Sequence, residues 1–225
     1  MPDGFDLAFA ALGVRDRAAL RELAGPRRFR RGDVLFHLGD DSTAAYVLRE
    51  GRVKMSALTG DGREVVFGVA GPGALIGEIA AITRRPRMST VRALEPVDSL
   101  ALPGDALREA LRSIPALTLL LLDLAAQRLA AADEQHLELA GVDVLGRVAR
   151  RLLLLAGDVS AGEPGDLVLD AMLNQEELAS WAAASREAVN RALGQLRGLG
   201  CIRSDAGRTI LVDVDALRRY ARRPA

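Results

Sequence analysis

The chain has 225 residues, 49% hydrophobic and 27% charged, the profile of a folded globular protein long enough for two cores. Its 30 basic and 30 acidic side chains cancel, so no global basicity announces nucleic acid. A single cysteine excludes an internal disulfide and any multi-cysteine cluster supplied by this chain, an iron–sulfur cluster included.

Residues 5–24 read as a short amphipathic helical lead-in. No charged-then-apolar leader precedes it, so a cytoplasmic, bacterial-type protein is expected. From about residue 27 to 103, glycines recur at 32, 39, 51, 60, 62, 68, 71, 73 and 77, between apolar runs such as Val34-Leu35-Phe36 and Tyr46-Val47-Leu48. Short strands punctuated this way predict a jelly-roll or barrel. Asp61-Gly62 suits a hairpin turn.

Inside this region lies Gly77-Glu78-Ile79, followed by Pro86-Arg87-Met88-Ser89. Glycine lets backbone approach a ligand closely, and free N–H groups at a helix start suit an anion. Glu78 can accept from a sugar hydroxyl and Arg87 can pair with a phosphate. A cyclic nucleotide presents both groups side by side. The competing reading is a structural ion pair between Glu78 and Arg87.

Ile114-Pro115 marks a helix start. From there to Ala140 the chain is rich in Leu and Ala without internal glycine or proline. That predicts about 25 helical residues, near 37 Å long. Leu121, Ala125, Leu129, Ala132, His136 and Leu139 form a narrow stripe suited to a partner helix; packing on the β-region alone is the alternative. The apolar run Leu117–Leu124 contains Thr118 and Asp123 and is too short to span a bilayer, so no membrane association is expected.

A hinge is expected at Gly141-Val142-Asp143, with Asp143 capping a helix that runs through Leu155. A polar loop over 157–166 and a strand at Leu167-Val168-Leu169 follow. Asn174 and Glu177 then form a capping-box pattern, with Trp181 as a core candidate. Ser185 can cap a second helix that places Arg186, Glu187, Asn190 and Arg191 outward and Val189, Leu193 and Leu196 inward. Two short helices in this arrangement predict a helix-turn-helix that reads double-stranded DNA. Arginine matches guanine O6 and N7, and a carboxylate matches the cytosine amino group. The alternative is an exposed, ion-paired helix face.

The runs Cys201-Ile202-Arg203 and Thr209–Val212 flank Asp205-Ala206-Gly207 as a wing hairpin, with a terminal helix from Asp215. From Arg186 to Arg223, nine arginines stand against four carboxylates, a local basic surplus sufficient for phosphate contact. Cys201 is expected to be a small buried residue. No HExxH, Walker loop, GxSxG or paired metal ligands occur, so no enzyme is expected.

In this order, the parts resemble the cyclic-AMP receptor / fumarate-nitrate regulator family over almost the whole chain. The resemblance rests on the glycine-spaced β-roll, Gly77-Glu78…Pro86-Arg87, the long helix, Val142-Asp143-Val144-Leu145-Gly146-Arg147, and Ser185-Arg186-Glu187…Arg191. It implies an α+β fold: a β-roll sensor at 1–113, a dimerisation helix at 114–140, and a winged helix-turn-helix at 141–225. It implies a homodimeric transcription regulator of a palindromic TGTGA-like site, with RNA polymerase as a further partner. Gly77, Glu78, Ile79, Arg87, Met88 and Ser89 would line an effector site for cyclic AMP or a related nucleotide, with Asp133 toward the base. Asn174, Ser185, Arg186, Glu187, Asn190 and Arg191 would face DNA. An effector touching both β-roll and long helix would shift the hinge near 141–143.

The chain departs from that pattern at Met88, where a small hydroxyl residue is common, at Ala132 and Asp133, where hydroxyls hold adenine, and at Ala183, a turn position often glycine. His37 and His136 do not occupy the expected axial-ligand positions, so haem is not expected. The alternatives are a same-family regulator that binds DNA without nucleotide, and a nucleotide-binding module acting through protein contacts.

Overall fold

The computed structural model describes residues 3–157, 167–169, 173–205 and 208–222. The expected polar loop beyond Gly157 and the wing tip at 206–207 lie outside them. The chain divides into two compact units, residues 1–57 with 70–130, and residues 58–69 with 131–225.

The lead-in is two helices rather than one, α1 (Gly4–Ala8) and α2 (Val14–Glu22), separated by a turn ending at Gly13. Phe5 and Phe9 of this segment are fully buried. Asp3 caps α1 by accepting from the Asp6 N–H, and the Arg21 guanidinium donates to both its oxygens at 2.9 and 2.8 Å.

Eight strands follow: β1 (Gly25–Phe29), β2 (Val34–Phe36), β3 (Ala44–Glu50), β4 (Val53–Leu58), β5 (Glu64–Ala70), β6 (Leu75–Ile76), β7 (Thr90–Ala93) and β8 (Val97–Pro103). They form two four-stranded sheets, ordered β1-β8-β3-β6 and β2-β7-β4-β5. The pairings β1–β8, β3–β8, β3–β6, β2–β7 and β4–β7 are antiparallel, as expected of a β-roll. The turn at Asp61-Gly62 closes with the Gly62 N–H on the Thr59 carbonyl at 2.9 Å. Helix α3 (Glu78–Thr83) interrupts the strands, and α4 (Gly104–Ser113) follows them. One core joins Val47, Leu75, Leu100, Leu102 and Leu107 to the first turns of the next helix; another gathers Leu35, Phe36, Leu48, Val53 and Val91.

That next helix, α5 (Pro115–Gly141), has 27 residues, about 40 Å at 1.5 Å per residue. Leu117 and Leu121 are buried in the β-roll core, with Leu120 and Leu124 packed against it. Leu121 therefore belongs to the anchored face, a correction to the expected partner stripe. Leu119, Leu122, Leu129, Leu137 and Leu139 are exposed instead. Of the expected stripe, Ala125, Leu129, Ala132, His136 and Leu139 are exposed, alongside Leu119, Leu122 and Leu137. By length and mean hydropathy alone α5 is long and apolar enough to cross a membrane, more than its apolar run Leu117–Leu124 suggested.

In the second unit, Asp143 caps α6 (Val144–Ala156), accepting from the Gly146 N–H at 2.7 Å. Gly146 lies so close to Tyr220 that an added Cβ would come within 2.8 Å of its carbonyl. The remaining elements are β9 (Leu167–Leu169), α7 (Gln175–Trp181), α8 (Arg186–Gly198), β10 (Ile202–Asp205), β11 (Arg208–Leu211) and α9 (Val214–Tyr220). Helix α9 begins at Val214 under an Asp213 cap, one residue earlier than expected. The sheet order β10-β11-β9 makes the expected wing. Residues 58–69 pack with this unit: Ser180 Oγ accepts from the Val66 N–H and donates to the Glu64 carbonyl, both at 3.0 Å.

The Arg21 hydrogen bond is the first cause holding the Asp3 carboxyl at about 2, below its ordinary 3.8. A lowered carboxylate stabilises above its unfolded value and loses that contribution as pH falls through the folded one. Asp3→Asn retains a good cap and removes only the charge. Its stability deficit against the unmodified chain is expected to be about 1 kcal/mol at neutral pH after solvent screening. In urea melts the deficit should close between about pH 4 and pH 2.

Candidate effector and nucleic-acid sites

The reader helices are built by local chemistry. Asn174 Oδ1 accepts from the Glu176 and Glu177 N–H groups, and Glu177 Oε2 accepts from the Asn174 N–H, completing the capping box. Leu178, Ala179 and Trp181 are buried on the inward side of α7. Ser185 caps α8 by accepting from the Ala188 N–H at 3.2 Å. Val189, Ala192, Leu193 and Leu196 are buried, which leaves Arg186, Glu187, Asn190 and Arg191 exposed together. The α8 start holds the Glu187 carboxyl below its ordinary value, first through its own backbone N–H, then through Ser185 and the flanking arginines. Arg186 Nε approaches the Gln175 side-chain oxygen at 3.5 Å. Arg186, Glu187 and Arg191 thus form an outward trio of mixed charge on a capped helix.

Two arginines that sequence reasoning did not single out for this role hold the turn between the helices. Arg147 Nε donates to the Ala182 carbonyl at 2.8 Å and its Nη2 reaches the Ala183 carbonyl at 3.4 Å. One turn later on α6, Arg151 Nε donates to the Trp181 carbonyl at 3.0 Å. The last carbonyls of a helix lack intrahelical partners and carry partial negative charge; these guanidinium groups meet both needs. The only advance signal was Arg147 in the Gly146-Arg147 pair of the hinge segment.

In the first unit, Gly77, Glu78 and Arg87 come together. Gly77 adopts the left-handed backbone (φ 73°) at the start of α3, a conformation that costs other residues strain. Glu78 and Arg87 are each almost completely buried, at 4% and 3% exposure. They do not pair with each other. Glu78 Oε1 accepts from Arg128 of α5, which also donates to the Leu75 carbonyl. Arg87 donates to the Gly77 carbonyl at 2.8 Å and the Ala44 carbonyl at 2.6 Å, with its guanidinium 4.1 Å above the Phe36 ring. Among the described residues, Glu78 Oε2 and Arg87 Nε are buried without a partner.

Desolvation pushes the Glu78 carboxyl up, against the pull of Arg128, and pushes Arg87 down. The arrangement can accept a hydroxyl at Oε2 and offer N–H to an anion at Nε. Ile79 and Met88 are exposed, Ser89 is half-buried, and Asp133 is exposed on α5. Arg128 was not foreseen. Its signal is spacing: it continues the Leu117, Leu121, Leu124 face by one further turn. No His, Cys, Asp and Glu group able to hold a metal occurs among the described residues.

Residues 26–113 match the cyclic nucleotide-binding domain family, and residues 146–220 match the Crp-like helix-turn-helix domain family. The CRP-like cAMP-activated global transcriptional regulator of Mycobacterium tuberculosis is 34% identical over 205 residues, covering 91% of this chain and 92% of its own. The cyclic AMP receptor protein of Thermus thermophilus is 30% identical over 181 residues, covering 80% and 81%. A solved CRP/FNR-family transcriptional regulator from Thermus thermophilus superposes with a TM-score of 0.73 at 28% identity, covering 89% of this chain and all of that one.

The turn of the reader stores strain. Ala183 holds φ 48°, a left-handed conformation costing a non-glycine residue about 1–2 kcal/mol. Glycine relieves that cost but loses more entropy on folding. Ala183→Gly is therefore expected to raise stability by about 0.5–1 kcal/mol, read as a higher urea midpoint at unchanged slope.

Proposed function

Because the chain belongs to the CRP/FNR family of DNA-binding transcription regulators, we propose that it works as a homodimer on a palindromic TGTGA-like site, with cyclic AMP or a related cyclic nucleotide as effector. The family consists of regulators rather than enzymes. In this reading residues 1–113 sense, 114–140 dimerise and 141–225 bind DNA in the cytoplasm, with RNA polymerase as a downstream partner.

The observation that carries the effector assignment is the pair of buried, unsatisfied atoms at the cassette, Glu78 Oε2 and Arg87 Nε. A buried polar atom without a partner costs about 1–3 kcal/mol, which a ribose hydroxyl and a cyclic phosphate would relieve. Gly77, Ile79, Met88 and Ser89 are assigned to the same effector, and Asp133 to its base. Met88 supplies only its backbone N–H, so one neutral hydrogen bond is forgone, worth about 1 kcal/mol. The apolar row Leu119, Leu122 and Leu129 supports the dimer, since a second copy of α5 is its natural cover.

For DNA, Arg186, Glu187 and Arg191 are assigned to base edges, and Asn174, Ser185 and Asn190 to the surrounding backbone. The two recognition helices of a dimer would then enter major grooves one turn apart. A second reading, DNA binding without nucleotide, is favoured by one observation: Glu78 is already engaged by Arg128, and Arg87 by two carbonyls.

Calorimetric titration with cyclic AMP and cyclic GMP, with and without a duplex carrying inverted TGTGA half-sites, separates the two. Saturable binding that raises duplex affinity, lost in Arg87→Gln with its circular dichroism unchanged, supports the effector. Unaltered duplex affinity at saturating nucleotide in the unmodified protein selects the second reading. For the reader, Arg186→Ala is expected to cost about 1–3 kcal/mol and to relax discrimination at one base pair. Equal loss on every sequence would assign Arg186 to phosphate instead.

A further inference from the structure

One face of α5 ends in a buried carboxylate that neither the effector cassette nor the DNA trio uses. Glu138 is 3% exposed. Both its oxygens accept from Arg151 Nη1, at 3.2 and 3.0 Å, and Arg150 stands 3.9 Å away while pairing with Glu134 at 2.8 Å. Arg151 is itself 2% exposed. It donates from Nε to the Trp181 carbonyl, and its guanidinium lies 5.4 Å from the Trp181 ring centre.

A chain of contacts therefore runs from the last turns of α5, through α6, to the end of α7, all within the second unit. Arg151 Nη2 has no partner among the described residues, so the network is not optimised for stability alone. Buried ion pairs contribute little net stability beside apolar residues of equal volume, because desolvation offsets attraction. They are directional, however, and can fix one packing against its neighbours.

We propose that Glu138 is a positioning residue for DNA reading: through Arg151 it sets the end of α7, and hence the turn that aims α8, against the last turns of α5. The carboxylate fixes which way the guanidinium points, the guanidinium fixes Trp181, and Trp181 ends the helix whose turn carries the recognition helix. DNA reading by α8 is taken from the proposed function; the placement of α7 is not.

Trp181 is the only tryptophan of the chain, so its fluorescence reports this junction without nucleotide or DNA. Three full-length proteins serve: the unmodified chain, Glu138→Gln, and the apolar pair Glu138→Leu with Arg151→Met. Glu138→Gln is expected to shift Trp181 emission and to weaken binding to the inverted TGTGA duplex by about fivefold or more in the same nucleotide state. The apolar pair is expected to recover the melting temperature and leave duplex affinity low.

Unmodified duplex affinity in Glu138→Gln, or recovery of both stability and affinity by the apolar pair, overturns the proposal and makes the network simple packing. Should Glu138→Gln fail to fold, the apolar pair decides alone by its duplex affinity. Should the unmodified protein ignore the TGTGA duplex, that failure belongs to the site assignment. Trp181 emission in Glu138→Gln then decides, and emission equal to that of the unmodified chain overturns the proposal.

Discussion

The DNA-reading unit depends on how the end of α7 is held. A seven-residue helix has little cooperative stability of its own, and its final carbonyls face the turn rather than another helical residue. Arg147 and Arg151, one turn apart on α6, donate to the Trp181, Ala182 and Ala183 carbonyls. Charge-assisted hydrogen bonds of this kind are about twice as strong as neutral ones. They keep Ala183 in its left-handed backbone, and that backbone turns α8 outward. Ser180, on the same last turn, is held from another side by the Glu64 and Val66 backbone. The direction of α8, and with it the exposed trio, is thus set chiefly by contacts made outside the trio.

Among the described residues, the buried charges of Glu78 and Arg87 and those of Glu138 and Arg151 play different roles. At the cassette, Glu78 and Arg87 lie side by side in the fold yet turn to other partners, and each keeps one unsatisfied atom. Desolvation disfavours both charged forms, and the proposed effector would supply the hydroxyl and the anion that these two atoms lack. At the junction of α5, α6 and α7, Glu138 and Arg151 are matched to each other, and burial lowers Arg151 against the pull of Glu138. The core of each unit, with Leu117 and Leu121 in the first and Val189 and Leu196 in the second, supplies apolar burial that offsets such costs.

Much of the fold was legible because its signals are short. Glycine punctuation between apolar runs located the strands, and Asp143, Asn174 and Ser185 located three helix starts to the residue. The long helix was legible in extent but not in register. Leu and Ala crowd nearly every face of α5, so steps of three and four fit more than one stripe, and Leu121 was assigned to the wrong one. Only burial of Leu117 and Leu121 in the β-roll core sets the rotation. Once set, the face runs on through Leu124 and Arg128 toward Glu138, which explains why neither charged residue stood out in a linear reading. The lead-in helix was read as continuous for a similar reason: Gly13 sits in an otherwise helical pattern.

The sequence by itself determined what depends on neighbours a few residues apart: caps, turns, the order of strands and helices, and the outward trio Arg186, Glu187 and Arg191. Tertiary structure decided every partnership across long separations. Glu78 meets Arg128 across 50 residues, Arg87 meets Ala44 across 43, and Arg151 meets Trp181 across 30. A charged side chain can be satisfied by any donor or acceptor that packing brings within about 3 Å, and which one arrives is settled by how the cores close. Local hydrogen bonds are therefore written in spacing, while the partners of buried charges follow from the fold.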